Sequence, residues 1–195
     1  GISVLAQAYN GLDIVILGFF RKPEEVGCFT VARRIVGGAA TLMILLANAV
    51  LPRLSATFVS DLKQFNQATA KFLKISCIII VLVLVPLVAF SSQIIKLTVG
   101  AAYGSASIPL KIMSMALILV MVNLPYSTGL IAASFEKDVL KQACASALTS
   151  LILNLVLMPK YGMIGAAISF LLAESLALTW ILVIYSKRIR RCAPA

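Results

Sequence analysis

The 195-residue sequence contains no histidine, and only 12% of its residues are charged. Without histidine there is no imidazole to bind a metal, to act as a general base or to complete a Ser-His-Asp triad. The four cysteines lack the paired spacing of zinc or redox motifs, and no G-x-x-x-x-G-K-[ST] phosphate loop occurs. We therefore expect a chain that is not an enzyme and that holds no metal and no cofactor. The cysteines are Cys28, Cys77, Cys144 and Cys192.

Apolar residues make up 61% of the chain, and the mean hydropathy is +1.04. Soluble domains are about 45–50% apolar, and one of this length could not bury so much apolar surface in a single core. A bilayer solvates outward-facing apolar side chains. The apolar runs are continuous rather than alternating, which favours helices over barrel strands. The sequence thus predicts an all-α, polytopic membrane protein.

Six apolar segments are separated by short polar or Pro- and Gly-marked breaks, which predicts six transmembrane helices. The polar stretch Ser60–Lys74 is expected to be a loop with a short surface helix, and Ser91–Gly104 is expected to lie at the interface. The chain starts at Gly1 with no signal-peptide pattern, so we expect a piece of a longer protein. The predicted spans are residues 2–20, 29–51, 75–90, 108–134, 139–158 and 163–185.

The formal net charge of +10 fits membrane topology better than nucleic-acid binding. One side of the membrane is predicted to hold the amino end, the second-to-third loop, the fourth-to-fifth loop and the tail. That side then carries ten basic residues, and the opposite side carries seven. The positive-inside rule places that side, with both chain ends, in the cytoplasm. Membrane lipids are the expected partners of these charges. The ten are Arg53, Lys63, Lys71, Lys74, Lys137, Lys141, Lys187, Arg188, Arg190 and Arg191.

Asp13 lies in the middle of the first span, at the edge of a polar stripe formed by Ser3, Gln7 and Asn10. Charges within hydrocarbon are costly and mark transport pathways or buried partners. Asp13 is therefore either a cation or proton site or a structural partner of a group such as an arginine. Glu174 in the sixth span has the same two interpretations, a functional carboxylate or the partner of a base on another helix.

Two arginines enter the second span together. Arg34 shares a helical face with Gly38, Thr41 and Asn48, and it either lines a cavity, where it can pair with phosphate or carboxylate, or extends to the membrane surface. Arg33 is rotated away from that face and is expected to extend to the outer interface.

Other features of the spans suggest packing and bending. The small residues Gly162, Gly165, Ala166, Ser169 and Ala173 share a face that suits close helix packing. Prolines within helices remove a backbone hydrogen bond and allow a bend. The hinge candidates are Pro86 and Pro125, the latter in a polar run that begins at Asn123.

Several motifs occur in an order that resembles a known family. The order and spacing resemble the second half of O-antigen-type polysaccharide flippases, which belong to the superfamily that also holds multidrug exporters and lipid II flippases. Phe29 stands where the family pattern has tyrosine. The motifs are residues 12–18 (LDIVILG), 25–29 (EVGCF), 32–34 (ARR), 50–55 (VLPRLS), and Asn154 followed by 158–167 (MPKYGMIGAA).

The resemblance implies that the chain is one six-helix lobe of a two-lobe transporter and that its amino-terminal lobe is missing. Such a transporter would flip undecaprenyl-pyrophosphate-linked oligosaccharide across the bacterial inner membrane for O-antigen export, with a glycan polymerase as a candidate partner. Arg34 would attract the pyrophosphate, Asp13 would be a coupling or charge-balance site, and Asn48 and Asn123 would face sugar hydroxyls. The alternatives are a cation-coupled multidrug exporter of the same superfamily and a non-transporting membrane scaffold.

Overall fold

The computed structural model describes the backbone of residues 2–192 and the side chains of residues 11–189, and within these ranges the chain is helical, without strands. In chain order the elements are α1 (Ile2–Phe20), α2 (Pro23–Ser60), α3 (Leu62–Ala89), α4 (Ser91–Val99), a 3₁₀ helix (Ala101–Ala106), α5 (Ser107–Ala132) and α6 (Glu136–Cys192).

The 57 residues of α6 are nearly three times the roughly 20 residues that one crossing of a hydrocarbon core of about 30 Å needs. At Gly162 the backbone takes φ 56° and ψ −134°, and there the helix breaks into a first arm, residues 136–161, and a second arm, residues 163–192. The arms pack side by side, since Ser146 Oγ donates to Ala173 O at 3.5 Å.

Counting both arms, the described residues contain six long helical segments. Four helices, including α6, are long and apolar enough to cross a membrane, and the described part of α1, Gly11–Phe20, is a shorter apolar helix. The predicted all-α fold with six membrane helices is therefore confirmed.

The helices extend beyond the predicted apolar spans, most clearly at the junction of α2 and α3. Asp61 alone, in an extended conformation, separates the two helices. Its carboxylate accepts a hydrogen bond from Lys63 N at 2.7 Å and so caps the start of α3. The expectation of a loop with a short surface helix over Ser60–Lys74 is wrong, because this cap starts the long helix α3, in which polar residues face outward and Phe65 and Phe72 are buried.

Two predicted features of the middle of the chain are found as helical segments. The stretch predicted to be interfacial forms α4 and the 3₁₀ helix, separated by Gly100 at φ 95°. Pro86 lies in the last turn of α3 and is exposed, whereas Pro125 is buried within α5. Both helices continue through their prolines, and the hinge role of these residues stays a prediction.

The core of the bundle is built around α5, which packs against α6, α2 and α3. A helix that is apolar on every side is a buried helix. Accordingly Leu110, Met113 and Leu117 are fully buried in α5. Outward-facing helix surfaces carry large exposed apolar side chains, as expected for contact with lipid; examples are Leu42, Leu45, Ile78, Leu82, Ile152 and Val156.

The small-residue face of the second arm packs as predicted. Ala166, Ser169 and Ala173 are buried, and a Cβ added at Gly165 would come within 2.5 Å of Leu157 O on the first arm. Only glycine allows the two arms to approach so closely.

Contacts between distant segments define the two ends of the bundle. At one end Arg188 Nε donates to Asp138 Oδ2 at 2.7 Å, and Gly129 lies beside Phe65. The α2–α3 junction, the α5–α6 turn and the end of α6 therefore meet there, and we call this the basic end. At the other end, the break end, Arg21 reaches Pro159 O at 3.0 Å beside the Gly162 break. Three of the four segments that the charge count groups on one side, all but the amino end, therefore lie together.

Replacing Gly162 by alanine is expected to destabilise the fold. The φ and ψ angles of this residue suit glycine, and an added Cβ would collide with Glu25 Oε1. We expect a loss of about 1–3 kcal/mol, visible as a lower midpoint of thermal unfolding of the purified protein in detergent. Gly37→Ala is the matched control, because nothing lies within 4 Å of a Cβ at Gly37. Equal midpoints for the two variants would contradict this account of the break.

Candidate functional site

A buried ion pair joins α1 to α2 inside the membrane-spanning part of the bundle. Arg33 Nε lies 3.0 Å from Asp13 Oδ2, and the two side chains are 11% and 10% exposed. The other carboxylate oxygen of Asp13, Oδ1, accepts a hydrogen bond from Ile14 N at 2.9 Å. Of the two interpretations of Asp13, the structure therefore shows an arginine partner.

The second arm of α6 brings an aromatic ring and a second carboxylate to the same arginine. The guanidinium carbon of Arg33 lies 4.5 Å from the centre of the Phe170 ring, within the range of a cation–π interaction. Glu174, one helical turn further along, is half-buried and interacts electrostatically with Arg33. We call Asp13, Arg33, Phe170 and Glu174 the central cluster.

The central cluster contains two carboxylates and one guanidinium in a medium that solvates charge poorly. Ionised groups inside hydrocarbon are costly unless they are paired. When both carboxylates are ionised, one negative charge of the cluster is not balanced by Arg33. Such a group can take up one proton or one monovalent cation and become neutral.

The structure corrects the expectation for one of the two neighbouring arginines. The expectation that Arg33 extends to the outer interface is wrong, because Asp13 and Phe170 hold its guanidinium inside the bundle. Arg34 is exposed on α2. One residue turns a helix by about 100°, so adjacent arginines must point to different surroundings.

The predicted polar face of α2 points out of the bundle. Arg34, Gly38, Thr41 and Asn48 are all exposed, although the helix is one of those apolar enough to cross a membrane. An arginine and an asparagine in contact with lipid tails would be costly. This α2 polar face therefore suits contact with water or with another polar protein surface.

The remaining candidates lie elsewhere in the structure. Asn123 is buried in α5, so in this conformation it is not part of the α2 polar face. The stripe of Ser3, Gln7 and Asn10 falls outside the residues whose side chains are described. Of the predicted site residues, Asp13 and Glu174 are joined by Arg33 in the central cluster, and Arg34 and Asn48 share the α2 polar face.

Phe170 and the polar contacts at the two ends of the bundle were not identified from the sequence. An aromatic residue on an otherwise small-residue face was the available signal for Phe170. At the break end, the Glu25 carboxylate accepts a hydrogen bond from Met163 N at 2.7 Å. In the sequence, Glu25 is recognisable only as an acidic residue in the first turn of α2. Such a residue predicts a favourable interaction with the dipole of its own helix and not a contact with α6.

Several known proteins resemble this chain in sequence. The family model described as polysaccharide biosynthesis protein matches residues 1–108. A protein of Escherichia coli (strain K12) described as an O-antigen transporter is 29% identical over 176 residues, which cover 90% of this chain and 42% of that protein. A Haloferax volcanii protein described as a low-salt glycan biosynthesis flippase is 23% identical over 168 residues, covering 86% and 36%.

The fold also resembles that of a solved membrane protein. The lipid II flippase MurJ, in an inward closed conformation, superposes with a TM-score of 0.80 at 20% identity, over 95% of this chain and 41% of that one. The chain therefore spans less than half the length of each of these three proteins. The helices and the relatives together identify a multi-pass membrane protein.

Removing the charge of Asp13 is expected to destabilise the bundle, because Arg33 would stay buried without its partner. Breaking a buried ion pair on one side costs about 3–5 kcal/mol. We expect Asp13→Asn to lower the midpoint of thermal unfolding strongly and the double variant Asp13→Asn/Arg33→Gln to recover much of the loss. Arg34→Gln, one residue away and exposed, is the control and should unfold like the wild type. Similar losses for Asp13→Asn and Arg34→Gln would contradict a special role for the pair.

Proposed function

The chain belongs to the polysaccharide biosynthesis protein family, and we propose that it forms one lobe of a transporter that flips a lipid-linked oligosaccharide across a membrane. The specific cargo that we propose is an undecaprenyl-pyrophosphate-linked glycan of O-antigen type, carried across the bacterial inner membrane. The second lobe would be the amino-terminal part of the same protein, in keeping with the share of its relatives that this chain spans.

The α2 polar face is the observation that carries the proposal. A polar, basic surface on a membrane helix needs water or a polar neighbour, and a cavity between two lobes supplies both. The sugars and the pyrophosphate would pass along this surface, while the lipid tail stays in the bilayer. A scaffold without a transport path would need another polar protein surface to cover this face.

Arg34 is the residue that we assign to the pyrophosphate. Its planar guanidinium can form two parallel hydrogen bonds to phosphate oxygens, and its exposure leaves it accessible from the cavity. Asn48, three to four turns further along the same face, would contact sugar hydroxyls. Arg33 is unsuited to this role because its charge is already shared with Asp13.

The central cluster is our candidate for coupling transport to an ion gradient or to the membrane potential. Uptake of a proton or cation by Asp13 or Glu174 would weaken the attraction to Arg33, which links α1, α2 and the second arm of α6. Such a change is suited to driving the rocking of one lobe against the other. The lower positive charge of the break end supports its placement outside the cytoplasm, with both ends of the chain inside.

Glycan export by the full-length protein tests the role of Arg34. Losing a charge-assisted hydrogen bond costs about 1.5–3 kcal/mol, so we expect Arg34→Ala to reduce export about tenfold or more at equal protein level. Arg53→Ala is the matched control, because Arg53 is an exposed arginine near the end of the same helix. The measurement is surface polysaccharide in a strain that lacks the chromosomal copy.

Three results would contradict the proposal. Normal export by Arg34→Ala would remove Arg34 from the pyrophosphate role. Increased susceptibility to cationic drugs in the deletion strain, with export unchanged, would favour the multidrug exporter. A deletion that affects neither property would favour the membrane scaffold.

A further inference from the structure

Arg21, in the α1–α2 connection, and Glu25, in the first turn of α2, form hydrogen bonds on the two sides of the break in α6. The Arg21 guanidinium donates to Pro159 O at 3.0 Å and to Met158 O at 3.4 and 3.5 Å, at the end of the first arm. The Glu25 carboxylate accepts a hydrogen bond from Met163 N at 2.7 Å, at the start of the second arm. Neither residue belongs to the central cluster or to the α2 polar face.

The charges of these two residues match the helix ends that they contact. The last carbonyl groups of a helix form the negative end of its dipole, and the first amide groups form the positive end. Arg21 lies at the negative end of the first arm, and Glu25 lies at the positive end of the second. Gly162, between them, leaves the space that Glu25 Oε1 occupies, since a Cβ there would collide with it.

The central cluster joins α1, α2 and the second arm about two turns further into the membrane. Along α1, eight residues separate Arg21 from Asp13, and along α2, eight residues separate Glu25 from Arg33. At a rise of about 1.5 Å per residue these distances are both about 12 Å. Met163 and Phe170 are seven residues apart on the second arm, about 10.5 Å. The contacts at the break end and the central cluster are therefore two levels at which α1 and α2 meet α6.

We propose that Arg21 and Glu25 are positioning residues, which set the axial position of the second arm against α1 and α2 so that Phe170 and Glu174 meet Arg33. The effect of this positioning on transport rests on the proposed function, in which the central cluster couples transport to an ion gradient. The hydrogen bond of Glu25 is made to a backbone amide, so it sets the height of the arm along its axis. Only one flexible side chain, that of Glu25, stands between the two backbones, so this bond restricts axial sliding more than a contact between two side chains would.

The surroundings of the bond leave room for the arm to move when the bond is absent. A cavity of about 480 Å³ lies beside it, lined in part by Glu25, Tyr103, Ser105 and Met163. On this side of Met163 packing alone therefore does not fix the position of the second arm.

The experiment measures the position of the second arm directly in the full-length protein. Spin labels at Leu42→Cys on α2 and Leu172→Cys on the second arm, both exposed positions, report one distance by pulsed electron resonance in lipid nanodiscs. The native cysteines are replaced beforehand. The test variants are Arg21→Ala and Glu25→Ala. Their matched controls are Lys22→Ala and Glu24→Ala, which remove the same charges at exposed neighbouring positions.

We expect both test variants to shift or broaden the distance distribution by several ångströms, up to about 5 Å for one helical turn. Both controls should match the wild type. Glu25→Gln should restore the wild-type distribution, because its amide oxygen can still accept the Met163 N–H. Glycan export should fall about tenfold or more in the two test variants and recover with Glu25→Gln.

The outcomes separate this inference from the proposed function. Unchanged distances in Arg21→Ala and Glu25→Ala would overturn the positioning role, whatever happens to export. Shifted distances with normal export would overturn the link between the arm's position and transport. If the wild-type protein does not export glycan at all, the proposed function fails, while the distances still decide whether Arg21 and Glu25 position the arm.

Discussion

A guanidinium inside a hydrocarbon layer needs an opposite charge within reach, and the contact between Arg33 and Asp13 meets this need. The pair fixes α1 against α2, because neither group can leave the other without staying buried as an unpaired ion. Phe170 and Glu174 extend the constraint to the second arm of α6. Two consecutive helices and a third segment distant in sequence are thus held by one charged group, in a medium where hydrophobic attraction between helices is weak.

The α6 hairpin shows how polar contacts organise an apolar chain at its ends. Arg21 and Glu25 satisfy the helix ends at the break, and Arg188 contacts Asp138 and the ring of Phe135 at the basic end. Between these contacts the arms pack through small residues, which allow close approach. The apolar side chains on the outer surfaces are free to face lipid. Polar contacts therefore fix how the helices are placed against one another, while the apolar outer surface places the bundle in the membrane.

Transport of a charged headgroup through a membrane needs a polar path and a device that responds to ions, and these two roles compete for the same rare charged residues. This chain separates them by one residue. Arg33 turns inward to the central cluster, and Arg34 turns outward to the α2 polar face. A substrate phosphate can then meet Arg34 without taking Arg33 from its carboxylates. The short spacing also makes α2 the helix through which the two sites would communicate.

The sequence alone determined the membrane class, the six helical segments and the family, because hydropathy and short motifs are local properties of the chain. It also placed Arg34 on a polar helical face and identified Asp13 and Glu174 as costly charges. Only the tertiary structure decided that Arg33 is their common partner, since helical periodicity gives the direction of a side chain and not what stands opposite it. The helix that replaces the expected loop after Ser60 depends on the capping contact of Asp61. The contacts of Arg21 and Glu25 join residues about 138 positions apart, a separation that no local pattern encodes.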